Sequence, residues 1–185
     1  MSRKYKIRDQ SRIYFVTFTV IDWIDIFIRD EYRSIVIDSI KYCQVNKGLE
    51  VYAYCFMTSH IHLIIGTSGM NKIEDIIRDL KSFTSRHIRK AMEDTNYVHE
   101  SRREWILRRM YQAGKYNSNN KDFQFWQQHS QPIELSSNEL IDQKLEYIHL
   151  NPVAAGFVDV PESWIYSSAR DYAGTSRGCI DLIYV

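Results

Sequence analysis

Between Arg12 and Asp22 the chain reads RIYFVTFTVID, alternating β-branched and aromatic residues, which predicts a strand. From Asp30 to Lys47 the apolar positions Ile35, Val36, Ile40 and Cys43 recur at the helical period. Asp30 stands where an N-cap belongs and Gly48 where a helix stops. LEVYAYCFM reads as a second strand, Thr58 and Ser59 as a tight connection, and HIHLIIG as a third strand completing a hairpin. Asn71 to Met92 carries the stripe Ile73, Ile76, Ile77, Leu80, Phe83 and Ile88 of a second helix. Strand, helix, strand, strand, helix opens the ferredoxin-like split βαβ pattern. The expected fold is therefore α+β, an antiparallel sheet with helices packed on one face and the other face open to ligands. Short helices follow around Trp105 to Tyr111, then a polar loop from Asn117 to Asp122 and the extended piece FQFWQQHSQPIEL. A helix from Asn138 to about Leu150 is capped by Ser136 or Ser137 and stopped by Asn151 and Pro152. The tail predicts a short helix and a final strand, CIDLIYV. No repeat interrupts the chain, and its length fits one domain over residues 1–185.

Composition narrows the class. A hydrophobic content of 44% fills one core, and 14% aromatic residues, with 13 Tyr and 4 Trp, also suit a surface that stacks on flat groups. No apolar run reaches the roughly 18 residues of a membrane span, and the basic start MSRKYKIRDQSR is not followed by a signal-peptide core. A cytoplasmic protein without a membrane partner is expected. Cys43, Cys55 and Cys179 are too few and too far apart for a disulfide framework or a zinc knuckle, so reduced thiols are expected. The net charge of +1 hides a polarity: Arg78 to Arg109 holds nine Lys/Arg against five acids, whereas from Asp122 onward nine acids face Lys144, Arg170 and Arg177. That distribution suits an anionic ligand held on one side.

The third strand contains the unusual chemistry. Residues two apart in a strand share a face, so His60 and His62 point the same way, about 7 Å apart along the backbone, while Ile61, Leu63 and Ile65 turn to the core. Two neutral imidazoles on one face suit a divalent transition ion with positions left for substrate oxygens. Two structural histidines on a half-exposed strand satisfy the same spacing.

YAYCFMTSHIHLII resembles the His-hydrophobic-His (HUH) motif of the single-tyrosine transposases, in particular the REP-associated tyrosine transposases. There, a strand ending Met-x-x-His-x-His is followed by a helix with an LKSFTS-like stretch, matched here by Leu80 to Ser85. The later blocks FWQ, LEYIHLNPVAAGFV and W-x-YSSARDY are similar as well, so the resemblance runs from Arg12 to Tyr172. It implies a tyrosine nucleophile on a late helix, at the position of Tyr147, which composition alone does not single out. Tyr147 and Asn151 are i and i+4 and share a helix face, so by analogy with the family Asn151 is the candidate third metal ligand. His149 lies about 200° round from Tyr147. Read without the resemblance, Tyr147 is an aromatic residue of an amphipathic helix and Asn151 a stop before Pro152. QQHSQPIEL departs from relatives that often carry a more basic stretch.

The resemblance further implies a metal-dependent transposase that cleaves and rejoins single-stranded, hairpin-associated DNA through a 5′-phosphotyrosine intermediate. His60, His62 and Asn151 would hold Mg²⁺ or Mn²⁺. Lys81, Arg86, Arg89 and Lys90, then Arg102, Arg103, Arg108 and Arg109, are the candidate phosphate contacts. Trp105 and Trp126 are candidate base stackers, though core packing explains each. Relatives act as dimers in some branches, so a homodimer with the tyrosine helix serving its partner is one arrangement. A domesticated nucleic-acid binder of the same fold, and a metal hydrolase with water as nucleophile, are the competing functions.

Overall fold

The computed structural model describes residues 7–117, 122–128 and 131–185. Part of the basic N-terminal run, of the expected loop after Asn117 and of the QQHSQPIEL stretch lies outside those residues. Strands β1 (Tyr14–Thr19), β2 (Leu49–Phe56), β3 (His60–Thr67) and β4 (Ile133–Glu134) form one antiparallel sheet in the order β2-β3-β1-β4. With α1 (Asp30–Lys47) between β1 and β2 and α2 (Ile73–Glu93) after β3, this is the expected ferredoxin-like α+β arrangement. Helix α3 (Arg103–Lys115) follows α2. Helix α4 (Asn138–Ala154) carries Tyr147, and α5 (Ala169–Tyr172) lies near the C-terminus.

Alternation within the strands builds two cores. Tyr14, Val16, Phe18, Ile61, Leu63 and Ile65 join Leu49, Val51, Tyr54 and Phe56 in the larger one, with Val36 and Ile40 of α1 and Ile76, Leu80 and Ile88 of α2. The opposite face carries Phe15, Ala53, Cys55 and Ile64 and receives Ile148 of α4. The expected open face is thus partly roofed by α4. A bulge makes this possible: the β2/β3 register shifts between Val51 and Ala53, so Tyr52 is the extra residue. After it, Ala53 and Cys55 point toward α4 and Tyr54 and Phe56 toward α1.

Four local expectations are corrected. Asp30 makes no cap bond; it begins α1 and accepts instead from the Tyr166 hydroxyl at 2.6 Å. Pro152 does not stop α4, which runs on to Ala154. A proline this late removes one amide, and the turn closes through Gly156 N–H to Val153 O (2.9 Å) and Phe157 N–H to Pro152 O (2.9 Å), with Gly156 left-handed at φ 74°. Asn151 is therefore inside the helix. The final strand is absent: the outer edge of β2 bonds instead to Tyr166 and Ser168 (Phe56 N–H to Tyr166 O and Ser168 N–H to Tyr54 O, 2.9 Å each), and Ile183 adds one bond to Val51 O. A covered edge is one that does not pair with another chain. Ser137, as expected, caps α4 by accepting from Leu140 N–H at 3.3 Å. The three cysteines are free.

Candidate functional site

Direct pairing across β1 and β3 places Thr17 opposite His62 and Thr19 opposite His60, all on the face that α4 approaches. The two imidazoles have ring centroids 4.7 Å apart. Each Nδ1 meets a hydroxyl: Thr17 Oγ1 at 2.9 Å from His62 and Ser59 Oγ at 3.2 Å from His60. With Nδ1–H donating to these hydroxyls, both Nε2 lone pairs remain for another partner, the arrangement that orients metal-binding histidines. Burial, followed by the nearby charges of His60 and Lys144, pushes the His62 pKa down to about 3, and burial lowers that of His60 as well. Both rings are neutral at physiological pH, so no proton competes for Nε2.

Helix α4 brings the expected tyrosine to this pair within one chain. The Tyr147 ring lies 5.2 Å from His62 and 5.9 Å from Phe15, which itself stacks on His62 at 5.5 Å. Tyr147 is 47% exposed, at a cleft of about 630 Å³ that also involves Gln143, Glu146, Leu150 and Asn151. It is not a core residue. One turn on, the Asn151 amide nitrogen is 3.4 Å from His62 Nε2, and a half-turn of the amide would present its carbonyl oxygen there instead. Lys144 sets its ammonium 5.4 Å from the Tyr147 ring centre and 5.0 Å from that of Phe15. His149, as expected, turns away; its Nε2 meets Ser168 Oγ at 2.9 Å, and burial lowers its pKa to about 4. Because Ser168 also contacts the backbone of Tyr54, this pair fixes α4 to β2.

In the sequence Thr17 and Phe15 carry no sign of a site role, and Ser59 stands out only as part of a turn and Lys144 only as a scattered cation. Thr17 was in principle legible, since it shares the parity of the histidine face, but only the β1/β3 register pairs it with His62. Trp23 was also missed. It is 59% exposed, and its ring centre lies 5.2 Å from that of His60. Asp22 and Trp23 are both left-handed, at φ 52° and 55°. That conformation costs roughly 1–2 kcal/mol per residue and is uncommon for a bulky side chain.

The basic candidates are used unequally. Lys81 reaches inward to Gln127 O at 3.0 Å and lies over the Phe18 ring, and burial lowers its pKa to about 8. From the same LKSFTS stretch, Thr84 accepts from the Trp126 indole at 3.0 Å, so that motif holds the FWQ segment, and Trp126 is core. Arg89 pairs with Glu93 at 2.9 Å. Arg102 binds Glu100 and Asp25, Arg103 donates to Val98 O and Asp94 O, and Arg109 pairs with Asp22. Arg86 and Lys90 are exposed on α2. Since α2 packs on the larger core, these residues are on the side of the sheet opposite the histidines.

Residues 13–124 match the family model described as transposase, IS200-like. The chain belongs to the IS200-like transposases. As a member of that family it is an enzyme of DNA transposition. The matched region includes both histidines and α2 but ends before Tyr147. A search of curated proteins returned no match. Among solved structures, this transposase is similar to a REP-associated tyrosine transposase bound to a REP hairpin, with a TM-score of 0.63 and 16% identity over 96% of this chain and 89% of the other. That likeness is one of fold. A putative transposase from Deinococcus radiodurans R1 aligns with a TM-score of 0.43 and 18% identity over 80% of this chain and 94% of that one. No helix among the described residues is long and apolar enough to cross a membrane.

Proposed function

We propose that this transposase cleaves and rejoins single-stranded, hairpin-associated DNA through a covalent 5′-phosphotyrosine at Tyr147, with Mg²⁺ or Mn²⁺ held by His60, His62 and Asn151. The carrying observation is the approach of a half-exposed phenol to within 5.2 Å, ring to ring, of a neutral histidine whose Nδ1 is already engaged. The donor set fits such an ion: two Nε2 atoms and an amide one helical turn from the phenol. Among the described residues no group of three His, Cys, Asp or Glu gathers to offer another ligand set. When bound, the ion would polarise the scissile phosphate and offset charge on its oxygens.

The remaining work belongs to the side chains. The rigid β3 fixes the two imidazoles, and α4, clamped by His149 and Ser168, sets the direction from which the Tyr147 oxygen arrives. That oxygen forms a new bond to phosphorus as the bond to the 3′ oxygen breaks. Overall, the phenol loses a proton and the departing 3′ oxygen gains one. Because one phosphoester replaces another, the 3′ hydroxyl can reverse the step on a new end without a nucleotide cofactor. Lys144 adds a positive charge beside the phenol. Arg86 and Lys90, on the far face, suit contacts to a flanking hairpin stem, whereas Lys81, Arg89, Arg102 and Arg103 are engaged in internal bonds that DNA would have to replace. In this reading the phenol and all three candidate ligands come from one chain, so the proposal does not require a homodimer.

Incubation with labelled hairpin oligonucleotides bearing single-stranded flanks and Mn²⁺ should give a covalent complex on a denaturing gel. Tyr147→Phe should abolish that complex and leave binding nearly unchanged. An adduct that persists in Tyr147→Phe removes Tyr147 from the role. Binding without cleavage by the native protein favours the domesticated binder, and free phosphate ends favour hydrolysis.

A further inference from the structure

We infer that Trp23 is a stacking platform for one nucleobase of the cleaved strand, that of the nucleotide whose 3′ oxygen departs. This rests on reading His60, His62 and Tyr147 as a phosphate-cleaving centre. Trp23 is a large apolar side chain left 59% exposed. Its position is built all the same: Ile21 N–H bonds to Phe125 O at 2.9 Å, Trp23 N–H to Val20 O at 3.1 Å, and Ile24 is buried on the next step. Arg109 of α3 fixes the turn by holding Asp22 with Nε at 2.8 Å and Nη2 at 2.5 Å. The backbone there takes two consecutive left-handed residues, and the strained indole gains little burial in return.

Location decides the ligand. Trp23 adjoins His60, whereas Tyr147 adjoins His62, so the indole and the phenol flank opposite members of the imidazole pair. In an in-line displacement the nucleophile and the leaving oxygen lie on opposite sides of phosphorus. A phosphate at the imidazoles attacked from the Tyr147 side therefore releases its 3′ oxygen toward Trp23. The base attached to that leaving nucleotide lies one residue's reach from an exposed indole face. Stacking is sequence-tolerant, since every base offers a π-face, so Trp23 would orient the strand without reading it.

The test is a double-mutant cycle on a labelled hairpin oligonucleotide that the native protein cleaves, with an abasic site placed immediately 5′ of the cleaved bond. On the intact strand, Trp23→Ala should weaken binding roughly 5- to 100-fold, the range of one aromatic–base stack, with Trp23→Phe retaining most of the affinity. On the abasic strand, Trp23→Ala and native protein should bind alike. Trp23→Gly relieves the left-handed strain and controls for folding. Equal binding of the intact strand by Trp23→Ala and native protein overturns the proposal, as does a Trp23→Ala loss of the same size on the abasic strand, which would mean that the indole only supports His60. A native protein that makes no adduct removes the cleavage reading instead. The assignment to the leaving nucleotide falls with it, and stacking as such also falls if abasic sites scanned along the bound strand show no position coupled to Trp23.

Discussion

The two faces of β1 and β3 are made from alternate residues of the same two segments, yet they are built to different ends. Toward α1 and α2, Tyr14, Val16, Phe18, Ile61, Leu63 and Ile65 are sealed, at 2% exposure or less. Toward α4, Phe15, Thr17, Thr19, His60 and His62 mix aromatic, hydroxyl and imidazole groups, and Thr17, Thr19 and His60 remain partly accessible. A period of two lets one strand fold the protein with half its residues and expose chemistry with the rest.

Adjacent residues test that division most sharply. Ile61→Ala empties space in a sealed core and should cost about 2–5 kcal/mol in urea denaturation. His60→Ala, one residue earlier, should change stability by about 1 kcal/mol or less. It should nonetheless lower Mn²⁺-dependent adduct formation by more than about 100-fold, beyond what loss of an outer-shell partner causes. Equal stability losses for the two, or unimpaired adduct formation by His60→Ala, would erase the distinction between the faces.

The division was legible in the sequence because parity is a local property: HIHL alternates within four letters, and Ile64 then continues the histidine face with an apolar residue under α4. The register of Tyr147 with Asn151 was legible for the same reason, but the choice of Tyr147 among 13 tyrosines came from resemblance. What could not be read depends on contacts distant in sequence. The bulge at Tyr52 reverses the parity of LEVYAYCF midway and puts Ala53 and Cys55 under α4. Pro152 looks like a stop, but a Gly156 closure one turn later lets the helix continue. Asp30 is the first residue of α1 rather than its cap, and its carboxylate accepts from the hydroxyl of Tyr166, far along the chain. Lys81 and Thr84 look like surface positions of a basic helix, and only the fold shows them bonded to Gln127 and Trp126.

Lys81 sits at the seam between the faces, rising from the core side to a carbonyl beside the groove that Thr17, Thr19 and Gln127 line. Its folded pKa is depressed to about 8 by burial, below the value of about 10.4 expected in the unfolded chain. Between these values the unfolded chain binds a proton that the folded one has released. Stability therefore rises with pH through that window and is lowest, for this group, below pH 8. Relative to Lys81→Met, native protein should gain at most about 3 kcal/mol from pH 8 to pH 10.5 in urea melts. Parallel curves for the two proteins would show that the ammonium is not held out of water, and would return Lys81 to the candidate phosphate contacts.

The smallest expected effect concerns Thr17, which belongs to the chemical face without touching substrate in the proposed mechanism. Its hydroxyl is 2.9 Å from His62 Nδ1, and by accepting Nδ1–H it would favour the tautomer that leaves Nε2 without a proton for the ion. Thr17→Val keeps the shape and removes the partner, so His62 is free to place its proton on Nε2 instead. Mn²⁺ affinity measured by titration should fall about 10- to 100-fold, with Thr17→Ser restoring most of it. Stability should shift by only about 1 kcal/mol, since one hydrogen bond at a partly accessible position is at stake. If Thr17→Val binds Mn²⁺ as tightly as native protein, the hydroxyl opposite His62 is an ordinary strand residue. The chemical face then reduces to the imidazoles and what α4 brings to them.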